Sequence, residues 1–332
     1  MDARYFFVWS FGLLCANSTW AVEGPQGNMR TRNFIVSAPD QQLASQIGFA
    51  AEKYRRDLAM EWLGKEIPDW PQPCVITAAI NSQAFGETSF SFAGRRGQKT
   101  RPFDFVMKVN GSRERILDSV LPHEVSHTIF ATHFGQPLPR WADEGACTTV
   151  EHISERRKNH QMLIEFLTTD RGIPFNQMFA MKNYPRDILP LYAQGYSVCR
   201  FLIQRGGKRK FIRFMDDGLA KSDWNGAVAR NYQIKDLSQL QVQWLEWVKT
   251  GCPAPQSSQT RLVSTPVSKQ ADQTRRVPQS SNFASLPKGD SVEPSQSKEI
   301  AAESQNDADV LNLSENFYFR EISRAKSGTL LR

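Results

Sequence analysis

The stretch LPHEVSHTIFATHFGQPLPRWADEGACTTVE, residues 121 to 151, carries three of the chain's five histidines. Its opening part decides the architecture around it. His123 and His127 stand four apart, so a helix through them sets both imidazoles on one face, with Cβ atoms roughly 5 to 6 Å apart. Two nitrogens so placed can meet one metal ion at about 2.1 Å. Glu124 lies about 100° round from His123, beside such an ion rather than on it, where its carboxylate can take a proton from a water activated there. Val125, Ile129 and Phe130 supply the apolar back face of a helix buried where two parts of the chain meet.

Two ligands from one helix hold zinc poorly, and a catalytic site has a third protein ligand plus an open position. The stretch offers two candidates, His133 and Glu144. His133 has the spacing of the metzincin pattern HExxHxxGxxH, but that pattern has glycine at position 130, where the chain leaves the helix. Position 130 is Phe130. A continuing helix turns His133 about 240° from His127, so His133 reads as an ordinary polar residue near the helix end at Gly135. Glu144 follows GQPLPR, which ends one helix, and sits in WADEG, which opens another. Residues 128 to 143 are enough chain for a helix end, a loop and a return that turns a carboxylate toward both histidines.

Outward from this stretch the pattern is mixed. NFIVSAP (Asn33 to Pro39) alternates like a strand, and Asp40 caps an amphipathic helix that runs to Leu63 and stops at Gly64. PCVITAAI (Pro73 to Ile80), SFSFA (Ser89 to Ala93) and FDFVMKVN (Phe103 to Asn110) read as strands, with GRRGQKTRP as a hairpin loop. Beyond Ser112 the chain reads as helices: through HEVSH, from Trp141, from Tyr192 to Gln204, from Lys208, and through WLEWV (Trp244 to Val248). The expectation is an α+β fold, with a small mixed sheet lobe over about 32 to 112 and a helical lobe over about 113 to 252. Cys147 and Cys199 read as small buried residues of helices, and Asp143 as a solvated acid at a helix start.

The ends read differently. MDARYFFVWSFGLLCANSTWA, residues 1 to 21, passes from Arg4 through an apolar block to small residues, as an export signal does, and predicts a periplasmic or secreted protein. The block is too short for a span of roughly 20 residues, so no integral membrane segment is expected after its removal. Leu14 stands before Cys15 where a lipid-anchor site wants a small residue. Residues 253 to 332 turn to Ser, Gln, Pro, Asp and Lys with scarcely an apolar run, and read as a mostly disordered tail. The net charge of +7 concentrates in RGGKRKFIR (Arg205 to Arg213), a solvated turn and helix start without interleaved aromatics, so nucleic acid is not an expected partner. The cysteines show no CxxC spacing, and one disulfide is compatible with an oxidising compartment.

HEVSH followed by WADEGACTTVE resembles the gluzincin metallopeptidases, in particular the zinc aminopeptidase branch and the wider peptidase MA-like domains. The resemblance spans roughly residues 32 to 250 in element order, and its specificity lies in 121 to 151. It implies a zincin-like fold with the site at the lobe junction, one Zn2+ held by His123, His127 and Glu144, and Glu124 as general base in the hydrolysis of peptide or protein substrates. YAQGY is similar to the family's Tyr-x-x-Gly helix, which implies Tyr192 as donor to the oxyanion; Tyr196, one turn on, is the fallback. Two departures stand out. FVMKVNGS replaces the Gly-x-Met-Glu-Asn element with which aminopeptidases seize a free amine, so aminopeptidase specificity is not implied. Where some relatives place an aspartate four after the glutamate ligand, this chain has Thr148, and Glu151, seven on, takes the expected role of partner to a histidine. FDFVMKVN is the expected sheet edge for an extended substrate. The rival expectation is a non-catalytic protein that keeps the fold and uses the cleft to bind a peptide or an envelope partner.

Overall fold

The computed structural model describes residues 5–7, 27–93, 100–181 and 183–253. Most of the segment read as an export signal, the whole tail beyond Pro253, and most of the GRRGQKTRP loop lie outside them.

The sheet is mixed. Strands β1 (Tyr5–Phe7), β2 (Gly27–Arg30), β3 (Phe34–Ala38), β4 (Cys74–Ile80), β5 (Phe85–Ala93) and β6 (Arg101–Gly111) lie in the order β1-β5-β6-β4-β3-β2. β3, β4 and β6 run parallel, while β2, β5 and β1 pair antiparallel to their neighbours. Between β3 and β4 runs helix α1 (Gln41–Leu63), the crossover that a parallel pair requires. Its ends follow its sequence: Asp40 accepts from the Leu43 amide at 2.8 Å, and Gly64 closes the helix at φ 74°. Alternate residues of β3 and β4 are buried, so one sheet face packs under helices.

The sheet departs from expectation in two places. It includes a strand at Gly27–Arg30, ahead of the expected start near residue 32, because GNMR, with no alternation of its own, is held as a strand by pairing with β3. β6, read as the edge for a substrate, is an inner strand between β5 and β4. The outer strands are β1 and β2, but β1 reaches only Phe90 to Phe92, so the Phe85–Ser89 half of β5 has no outer partner among the described residues.

The remainder is mostly helical: α2 (Arg113–Arg115), a π-helical turn (Ile116–Val120), α3 (Leu121–Phe134), α4 (Arg140–Thr148), α5 (Ile153–Thr168), α6 (Phe175–Ala180), α7 (Leu189–Gln204), α8 (Gly207–Lys221), α9 (Trp224–Tyr232) and α10 (Leu237–Lys249). Helices α5, α6 and α9 are additional to those expected; of the sixteen residues of α5 only Leu163, Ile164 and Phe166 are buried. α3 touches β5 and β6 on one side, α1 on another and α4 on a third. Phe130, where the metzincin pattern needs glycine, is buried edge-on against Trp62 of α1, ring centroids 5.1 Å apart. α3 runs on past it to Phe134, and Gly135 ends it at φ 61°. Cys74, Cys147, Cys199 and Cys252 are free and buried, with no disulfide among the described residues. No helix among those residues is long and apolar enough to cross a membrane.

Candidate metal centre

The site forms where α3 and α4 meet, and both helices are buried there along nearly their whole length. Pro122 stands in the first turn of α3, which continues directly from the π-helical turn Ile116–Val120. His123 and His127 follow one turn apart, with ring centroids 5.0 Å apart. α7 then presses α4 into place through two glycines. A Cβ on Gly145 would lie 2.3 Å from the carbonyl of Gly195, and one on Gly195 would lie 2.4 Å from the carbonyl oxygen of Trp141. Backbone therefore packs on backbone, bringing Tyr192 of α7 beside Glu144 of α4.

Each imidazole has its two nitrogens in different surroundings. His123 Nδ1 lies 2.6 Å from Glu151 Oε1, and His127 Nδ1 lies 2.9 Å from Asp143 Oδ1. A carboxylate at each Nδ1 favours a proton on that nitrogen, which leaves Nε2 as the nitrogen a metal ion would take. Both Nε2 atoms face the same oxygen, Glu144 Oε2, at 3.4 Å for His123 and 4.0 Å for His127. Two atoms each bound to zinc at tetrahedral angles stand about 3.4 Å apart. The other oxygen of Glu144, Oε1, accepts from the Tyr184 hydroxyl at 2.9 Å.

His123, His127 and Cys147 are also a buried group that could hold a metal ion, with ligand atoms all within 4.8 Å of one another. Cys147 Sγ lies 3.4 Å from His127 Nδ1, the nitrogen that Asp143 already engages. His133 takes no part; its Nε2 meets Asp216 of α8 at 3.2 Å.

Asp143 is not the solvated acid its position suggested. It is buried at 4% exposure on His127, because α4 is covered on every side and its first turn faces α3. Glu151 reaches His123, but from the turn after Thr148 rather than from a continuing helix. Tyr184, Cys147, Thr88 and Gly86 entered the site without a sequence signal. The loop before α7 carries Tyr184, and the start of β5 carries Gly86 and Thr88, which no motif joins to HEVSH.

Glu124 is held from the sheet. Its Oε2 accepts from Thr88 Oγ1 at 2.6 Å, and a Cβ on Gly86 would fall 2.2 Å from its Oε1. Gly86 thus leaves the space that the Glu124 carboxylate occupies. His123, Glu124 and Tyr192 line a cavity of about 490 Å3, with Phe85 and Gly86 of β5 on one side and Met162 of α5 on the other. Phe85 belongs to the half of β5 that has no outer partner among the described residues.

The electrostatics follow from burial. Glu124 and Asp143 are pushed above the usual carboxylate range by burial, against the pull of the histidines. Burial opposes charge on His123, yet Glu144, Glu151 and Glu124 together hold its pKa well above the ordinary value. Burial also acts against ionised Glu144, but His123 and His127 outweigh it and keep its pKa low. Four carboxylates thus converge on two imidazoles in a dry setting, a donor set short of positive charge that a divalent cation would balance.

No family model and no curated protein matches the chain.

Proposed function

We propose that the chain is an exported zinc metallopeptidase of the gluzincin kind, with a zincin-like arrangement of sheet and helices about one Zn2+. The observation that carries this reading is the orientation of the two histidines: both Nδ1 atoms engage carboxylates, and both Nε2 atoms face Glu144 Oε2. His123, His127 and Glu144 would hold the ion. Cys147 is the poorer third ligand, since using it with His127 Nδ1 displaces Asp143, whereas the Glu144 set leaves both carboxylate partners in place.

Zinc, when bound, supplies a Lewis acid that acidifies water and polarises a carbonyl. The protein's own residues do the rest. Glu124, raised in pKa by burial and aimed by Thr88 and Gly86, takes a proton and later delivers it to the leaving amine. Tyr192, whose hydroxyl lies among Tyr184 and Glu144 and whose side chain lines the cavity, donates to the oxyanion that develops on the substrate. Burial holds that hydroxyl protonated. A substrate chain lies against β5, where Phe85 and Gly86 meet the cavity.

The test is Glu124→Gln assayed on a mixed peptide library by mass spectrometry, with zinc measured on the same sample. The variant is expected to keep its zinc and lose chelator-sensitive cleavage. Cleavage at the wild-type rate would sink the mechanism.

A further inference from the structure

We infer that Tyr184 is a positioning residue that fixes Glu144 as a one-oxygen ligand, an inference that rests on the metal-site reading above. The two oxygens of Glu144 have different partners. Oε1 accepts from the Tyr184 hydroxyl at 2.9 Å, while Oε2 alone faces the two Nε2 atoms at 3.4 and 4.0 Å. A carboxylate on a free side chain rotates and can present both oxygens to a cation. A second oxygen on the ion would occupy the position that a catalytic zinc keeps for water or substrate. A hydroxyl bound to one oxygen prevents that rotation.

Tyr184 is itself held in place. The guanidinium of Arg140 lies over its ring, 4.5 Å from the centroid, and the ring is parallel to that of Tyr192 at 6.3 Å. Arg140 opens α4, one turn before Glu144, so the helix that carries the ligand also carries the platform for the ring that restrains it. The two tyrosines divide the work by location: Tyr192 lines the cavity and Tyr184 does not. Tyr184 therefore acts on the ligand alone, while Tyr192, which also reaches Glu144, is the one of the two open to a substrate.

The experiment uses the full chain loaded with zinc, and reads zinc release to an excess of a chromogenic chelator. A second readout is the visible spectrum of the cobalt-substituted protein, which responds to the number of ligand oxygens. Tyr184→Phe removes one hydroxyl and leaves the ring between Arg140 and Tyr192. It is expected to release zinc about 10- to 100-fold faster and to shift the cobalt spectrum. Tyr192→Phe, which removes the other hydroxyl near Glu144 but leaves the Tyr184 bond to Oε1, is expected to speed zinc release less than Tyr184→Phe does and to lose turnover. Should Tyr184→Phe not fold, Arg140→Met decides, since it loosens the ring but keeps the hydroxyl; faster release supports the hold. Wild-type release and an unchanged cobalt spectrum in the folded variant overturn the proposal, provided that Glu144→Ala loses zinc. A wild type that takes up no zinc, or a Glu144→Ala variant that keeps it, refutes the site reading instead.

Discussion

Gly86→Ala tests the claim that a bare strand position aims the general base. The methyl would stand 2.2 Å from Glu124 Oε1, 2.6 Å from its Cδ and 2.7 Å from its Cγ. An ordinary carbon–oxygen contact is about 3.4 Å or more, so the carboxylate must move by roughly 1 Å. Its anchor on the sheet, the 2.6 Å hydrogen bond from Thr88, does not survive such a shift. A misplacement of about 1 Å at a reacting group costs about 100-fold in rate, or about 2.7 kcal/mol in the barrier. The backbone accepts the change, because Gly86 does not have a left-handed φ, and alanine in a strand is favoured over glycine by about 0.5–1 kcal/mol. Turnover of a fluorogenic peptide chosen from the library should therefore fall about 100-fold, with zinc content near wild type and a melting temperature lower by no more than a few degrees. The double variant Gly86→Ala, Glu124→Gln should be no slower than Glu124→Gln alone, since both act through one carboxylate. Activity of Gly86→Ala within a few-fold of wild type, at equal zinc content, refutes the reasoning.

Other outcomes follow from the same geometry. Gly195→Ala would set a Cβ 2.4 Å from the Trp141 carbonyl oxygen, and forcing α4 from α7 should cost about 1–3 kcal/mol, read as a drop of several degrees in melting temperature; an unchanged melt means the helices pack less closely than described. Asp143→Ala removes the partner of His127 Nδ1 and should weaken zinc binding about 10- to 100-fold by chelator competition, whereas wild-type affinity would return Asp143 to an incidental acid. His160 has its pKa lowered to about 4 by burial and then by Arg200, so the folded state stays neutral while the unfolded chain takes a proton below its ordinary 6.5. Its contribution is whole above pH 6.5 and is lost as pH falls toward 4, on the order of 3 kcal/mol in all. Denaturant melts at pH 7.5 and 4.5 should show wild type losing about 2 kcal/mol more than His160→Gln; equal losses contradict the assignment.

The elements whose own residues specify them were legible in the sequence. Asp40 and Gly64 bracket α1 by capping chemistry, and β3 and β4 carry their alternation openly. Phe130, which stands where the metzincin pattern has glycine, is buried against Trp62, and α3 runs on past it to Phe134. What stayed hidden depends on partners far along the chain. GNMR is a strand only beside β3, and the inner place of β6 depends on β5 having folded back outside it. Asp143 looked like a helix-start acid because nothing local says that α3 covers it. Gly86 and Thr88 precede Glu124 by more than thirty residues, and only the approach of β5 to α3 joins them. Glu151 meets His123 for a reason other than the one its spacing suggested, since the helix ends three residues before it.

The most direct test of the central claim is elemental analysis of the purified full chain and of three variants: Glu144→Ala, Cys147→Ser and His133→Ala. The account predicts about one zinc in wild type, in Cys147→Ser and in His133→Ala, and loss of zinc in Glu144→Ala. Zinc retained by Glu144→Ala and lost by Cys147→Ser would contradict it and make Cys147 the third ligand, and a wild type that binds none would remove the metal centre altogether.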